Sequence, residues 1–171
     1  MRTLIMVLLV VMGLDITGCR SGQTGPSSYA MSIERPAPDF ELTALDGSTV
    51  KLSALRDKPV LLAFWGFGCA PCRVEAPHLS TLAEKYADKG LVVLGINGWD
   101  DPREVVAAYQ EKNNFKHTLL LNGSEVAKAY GIDLYPSCIW VNKQGVITDI
   151  QYGATNAKKL ETKTEKLLQA K

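Results

Sequence analysis

Val60-Leu61-Leu62-Ala63-Phe64-Trp65-Gly66-Phe67-Gly68-Cys69-Ala70-Pro71-Cys72 is the stretch on which the fold turns. Its first six residues form an unbroken apolar run of strand length, the pattern of a strand buried on both faces of a sheet. Beyond the cysteines, Val74, Leu79, Leu82, Ala83 and Tyr86 have the spacing of a helix face. A Cys-x-x-Cys pair between such a strand and such a helix points to thiol redox chemistry. A thiol at a helix N-terminus meets free backbone N–H groups and the positive end of the helix dipole. Both favour thiolate and lower a cysteine pKa from about 8.5 to roughly 3.5–7.5. Pro71 stands where a helix tolerates proline, and it stiffens the ring. Cys69, at the exposed end, is the expected attacking thiol. Cys72, one turn in, is the expected buried partner that resolves a mixed disulfide.

Outward from this junction the chain alternates strand and helix patterns. Upstream, Phe40–Thr43 and Thr49–Leu52 flank Asp46-Gly47, a hairpin signal. Downstream, the helix should run from about Pro71 to Lys89 and stop at Gly90. Leu91–Ile96 reads as a second buried strand. Asp101-Pro102 reads as a helix start, with Asp101 as the cap and Pro102 in the first turn. Thr118–Leu121 is a short strand and Glu125–Tyr130 a short helix. Cys138–Val141 and Val146–Ile150 form a second hairpin, and Asn156–Gln169 is a final amphipathic helix. This order predicts an α/β domain, a central mixed β-sheet with helices on both faces.

The chain has 171 residues, 46% of them apolar, enough for one domain plus a leader. A net charge of +1 carries no nucleic-acid footprint. Four cysteines in this length do not make a disulfide scaffold. A zinc site would need four ligands, and no second Cys-x-x-Cys or His pair is present; His78 and His117 are expected at the surface, and no metal is expected. At the N-terminus, Arg2 precedes the apolar run Leu4–Met12, shorter than the roughly 20 residues of a spanning helix but right for a signal-peptide core. Ile16-Thr17-Gly18-Cys19 follows and resembles the bacterial lipobox. The expected division is therefore 1–18 lipoprotein signal peptide, 19–36 lipidated Cys19 and flexible linker, and 37–171 folded domain. Such a protein would face an extracytoplasmic, periplasm-side compartment from a lipid anchor in the membrane.

Several stretches together carry a family resemblance: Ala37-Pro38-Asp39-Phe40, Asp46-Gly47, Leu52–Arg56, Phe64-Trp65, Cys69-x-x-Cys72-Arg73-x-Glu75-x-Pro77 and Tyr135-Pro136. The chain resembles the thioredoxin superfamily, and within it the TlpA-like and ResA-like membrane-anchored thiol–disulfide oxidoreductases; its N-terminal part also resembles AhpC/TSA-like redoxins. The resemblance implies a thioredoxin fold with an N-terminal β-hairpin extension. It implies catalytic roles for Cys69, Cys72, Glu75 and Pro136. Pro136 would follow a cis peptide bond, and its neighbours would hold an extended substrate segment by strand-like hydrogen bonds. Glu75 would tune cysteine ionisation. Trp65, Gly68, Ala70, Pro71 and Tyr135 would contact substrate. The implied partners are protein thiols and disulfides, such as apocytochrome c, and an upstream membrane electron donor. The implied redox group is the Cys69–Cys72 disulfide, with no other cofactor.

Three positions depart from the family pattern. Gly68 replaces the usual Trp before the first cysteine, which should open the rim beside Cys69. Ala63 stands where thioredoxin has a buried Asp, leaving proton handling for Cys72 to Glu75 or water. Cys138 lies two residues beyond Pro136 on the same face; it reads as a core residue that could lie near the redox pair. Two other functions fit the fold. A peroxiredoxin-like peroxidase would need Thr or Ser three residues before its reactive Cys, where this chain has Gly66. A copper or apocytochrome chaperone would use a wider Cys spacing and a distal His, and the region near Tyr135 offers none.

Overall fold

The computed structural model describes residues 32–169. The expected signal peptide, Cys19 and most of the linker lie outside the described residues. Within them no helix is long and apolar enough to cross a membrane.

The first strands, β1 (Glu41–Thr43) and β2 (Thr49–Lys51), pair antiparallel as the expected hairpin. There follow β3 (Val60–Trp65), α1 (Ala70–Lys85), β4 (Val92–Asn97), α2 (Arg103–Asn113) and β5 (Thr118–Leu120). The chain ends with α3 (Ser124–Ala129), β6 (Ser137–Val141), β7 (Ile147–Tyr152) and α4 (Ala157–Gln169). The main sheet has the order β5-β4-β3-β6-β7. β3 runs parallel to β4 and antiparallel to β6, so the sheet is mixed.

All six residues of β3 are buried, which is why that run is apolar throughout. Its side chains alternate between two cores. Leu62 and Phe64 join Leu94, Ile96 and Ile139 under the N-terminal hairpin and α3. Leu61 and Ala63 join Val93, Cys138 and Trp140 under Leu79 and Leu82 of α1 and Leu160 and Leu167 of α4. Leu61, Leu62 and Phe64 are each 0% exposed, and burial of such a side chain contributes about 1.5–3 kcal/mol. A third cluster continues past the end of β3: Trp65, Cys69, Cys72 and Ala76 pack with Val106 and Tyr109 of α2. The redox pair is thus seated on the core.

Two boundaries differ from expectation. The helix after the cysteines ends at Lys85 rather than near Lys89. The Leu91 N–H returns to the Tyr86 carbonyl at 3.2 Å, and a 3-10 turn over Ala87–Lys89 ends on Gly90 at φ 77°. The chain has to reverse there to enter β4. Likewise α2 begins at Arg103 with Pro102 as its cap residue and no capping side chain. Asp101 does not cap it, because its carboxylate is engaged elsewhere.

Candidate active site

Cys69 is the N-cap of α1, in extended conformation with φ −79° and ψ 102°. Its Sγ accepts the backbone N–H of Cys72 at 3.2 Å. The two cysteines form a disulfide, with 5.3 Å between their Cα atoms. Pro71 lies in the first turn of α1, where no intrahelical N–H is needed. Cys69 is 6% exposed and Cys72 3%. The order of exposure is the expected one, but the margin is narrow.

The Tyr135–Pro136 peptide bond is cis. Pro136 and Cys72 line one small cavity of about 10 Å³, together with Ala63, Trp65, Glu75 and His117. Glu75 is 2% exposed. One carboxylate oxygen accepts the Cys138 thiol at 3.4 Å and the other accepts the Thr155 N–H at 3.1 Å. Burial pushes the Glu75 carboxyl above its usual range, against the pull of those two hydrogen bonds. Burial, and then the Glu75 charge, push the Cys138 thiol well up. Cys138 is a core residue, as expected of a small apolar-like side chain, and it also touches the carboxylate beside the redox pair.

Trp65, expected to contact substrate, is 7% exposed, with its indole 5.4 Å from the Tyr109 ring, and it lines the cavity shared by Cys72 and Pro136. Gly68, Ala70 and Pro71 are exposed and Tyr135 is half-buried. His117 is not at the surface: it is 5% exposed, and burial lowers its pKa to about 4. The rim at Gly68 is not open. Trp99 lies over it, its ring atom Cζ3 3.0 Å from where a Gly68 β-carbon would sit, and a β-carbon on Gly66 would run into the same indole.

Asn97, Trp99 and Asp101 were not among the anticipated site residues. The Asp101 carboxylate accepts the Phe67 N–H at 2.7 Å and the Asn97 amide at 2.8 Å. The Asp101 N–H donates back to Asn97 at 2.8 Å. This fastens the loop before Cys69 to the loop after β4. An Asn closing an apolar run was the available signal, and the structure buries Asn97 fully. Among the described residues no three His, Cys, Asp or Glu side chains gather as a metal site.

The sequence profile of the AhpC/TSA family matches residues 33–150. The thiol-disulfide oxidoreductase ResA of Geobacillus kaustophilus is 30% identical over 170 residues, covering 98% of this chain and 94% of that protein. The thioredoxin-like protein YneN of Bacillus subtilis is 29% identical over 160 residues, covering 92% and 94% respectively. Among solved structures, the thioredoxin domain of a thiol-disulfide oxidoreductase from Bacteroides vulgatus superposes with a TM-score of 0.72 at 26% identity, over 81% of this chain and 99% of that one.

Proposed function

The chain belongs to the AhpC/TSA family as a thioredoxin-fold thiol–disulfide oxidoreductase, and from that premise we propose that it reduces disulfides of extracytoplasmic proteins. The observation that carries the reading is Cys69 at the N-cap of α1, its sulfur on the Cys72 N–H and bonded to Cys72. In the reduced protein that N–H and the helix dipole favour a Cys69 thiolate. The thiolate attacks one sulfur of a substrate disulfide. A Cys69–substrate bond forms, and the other substrate sulfur leaves as thiolate and takes a proton. Cys72 then gives up its proton, attacks the Cys69 sulfur and closes the Cys69–Cys72 bond, releasing the second substrate thiol. Two electrons pass to the substrate, and a membrane dithiol donor returns them to the pair. The disulfide is the redox group, and the cycle uses no other cofactor.

In this reading Glu75 takes the Cys72 proton, and the backbone at Tyr135-Pro136 holds an extended substrate segment beside Gly68, Ala70 and Pro71. Apocytochrome c, whose thiols must be reduced, is one substrate of this class. A peroxidase reading is disfavoured at Gly66, which has no hydroxyl and no room for a β-carbon under Trp99. The roles are tested by substitution. Cys72→Ser should accumulate mixed disulfides with substrate, visible on non-reducing gels, and Cys69→Ser should capture none and lose turnover. Adducts on Cys69→Ser alone would reverse the roles, and adducts on neither variant would remove the exchange function.

The same reading places the protein on a membrane through a lipid on Cys19, with residues 19–36 as a tether. Cys19→Ala should leave the protein soluble or unprocessed, and should lose incorporation of labelled fatty acid. Equal labelling of both chains would end the lipoprotein assignment.

A further inference from the structure

Trp99 is an exposed indole held in place beside the redox disulfide. It stands in the loop between β4 and α2 and is 47% exposed. One side of its ring covers the backbone of Gly66, at a distance that leaves no room for a β-carbon, and its edge reaches Gly68, where a β-carbon would sit tightly at 3.0 Å. An edge-to-face contact at 5.7 Å joins it to Tyr135, the residue before Pro136. Tyr135 is fitted just as closely, since a β-carbon on Gly98 would meet its ring at 2.8 Å. The base of the loop is clamped by Asn97 and Asp101. The indole therefore bridges the segment that precedes Cys69 and the segment that precedes Pro136, with nearly half its surface facing solvent. Two further large apolar side chains are exposed on the loops that meet there: Phe67 at 38% and Leu134 at 50%. An aromatic surface kept wet in the unliganded protein is the kind that gains most when an apolar group covers it.

We propose that Trp99 is a specificity-determining residue: it selects polypeptide disulfides whose cysteine is flanked by a large apolar side chain, which packs on the indole while Cys69 attacks. The substrate class is a polypeptide segment exposing apolar residues next to its cystine, as in an incompletely folded protein, rather than a small soluble disulfide. The assignment rests on the thiol–disulfide exchange proposed above.

The test uses two disulfide-bonded peptides of equal charge, one with Leu and one with Gly beside each cysteine, and hydroxyethyl disulfide as a small substrate. Wild-type protein should show a higher kcat/KM on the Leu-flanked peptide. Trp99→Ala should reduce the Leu-to-Gly ratio of kcat/KM about tenfold, the order expected for losing one aromatic contact. Trp99→Phe should recover most of the ratio; it also serves if the alanine variant fails to fold. A merely structural tryptophan would slow both peptides together and leave the ratio alone. An unchanged ratio in Trp99→Ala, or no preference in the wild type, overturns the assignment while exchange with hydroxyethyl disulfide persists. Absence of exchange with hydroxyethyl disulfide overturns the underlying activity as well.

Discussion

Glu75 is a carboxylate held in the interior on two donors, the Cys138 thiol and the Thr155 N–H. An ionised carboxylate is costly to bury unless its oxygens are hydrogen-bonded, and both of these are. Its place on the cavity that Cys72 also lines gives it two effects on that thiol. A negative charge nearby opposes thiolate formation, and a carboxylate with a raised pKa can take the thiol proton. Glu75→Gln keeps the shape. Its amide can still accept the Thr155 N–H and can donate to the Cys138 sulfur, so folding should survive. The cysteine titration should then move down by about one pH unit, and resolution of the mixed disulfide should slow by about 10². Thiolate absorbance against pH reads the first and single-turnover release of substrate reads the second. Cys138 also absorbs when ionised, so both proteins are compared in a Cys138→Ser background, whose hydroxyl can still bond residue 75. Superimposable titrations with equal release would leave Glu75 as a packing residue only. The sequence already placed Glu75 one turn beyond Cys72 and Cys138 on the Pro136 face, because helix and strand periods are local. That the two meet depends on α1 lying across β6, which no local period reveals.

The elements legible in advance are those whose own composition leaves one way to bury them. Six consecutive apolar residues between Pro59 and Gly66 are too few for a buried helix and suit a strand covered on both faces, and β3 is that strand. Cys-x-x-Cys at its end opens α1, with Pro71 in the first turn, where proline costs no intrahelical hydrogen bond. Asp46-Gly47 closes the hairpin, and the amphipathic pattern after Asn156 becomes α4. The errors lie where one element borrows from another. Asp101 has the identity and position of a helix cap, but its carboxylate bonds the Phe67 N–H, 34 residues upstream. A local cap and a long-range clamp demand the same residue type, so the sequence does not separate them. Gly68 looked like a tryptophan deleted from the rim. It is one half of a fitted pair, the other half being a tryptophan supplied by the loop after β4. A missing side chain and a displaced one read alike until the sheet brings the two loops together.

Two buried titratable groups, His117 and Glu75, face the same cavity and give the stability of the domain opposite dependences on pH. Burial lowers His117 from 6.5 to about 4, so the folded protein resists its protonation. Its contribution is complete above about pH 6.5 and is lost as pH falls toward about 4, because the unfolded chain binds the proton first. Glu75 is raised above 4.5. Its contribution is complete below that value and is lost as pH rises through the folded pKa. On moving from pH 7 to pH 5, the histidine should cost about 2 kcal/mol of unfolding free energy, and the carboxylate should return part of it. His117→Leu keeps an apolar side chain of similar size against Phe115 and removes only the histidine's share. Urea unfolding at both pH values should therefore show wild type falling by about 2 kcal/mol more than the variant. Repeating the pair in a Glu75→Gln background separates the two groups, since a charged histidine would attract the carboxylate across the cavity. An equal fall in wild type and His117→Leu, in both backgrounds, would mean that His117 becomes protonated in the folded protein as readily as in the unfolded chain. The closed packing around it, with Nδ1 unpartnered among the described residues, would then be open to water in solution.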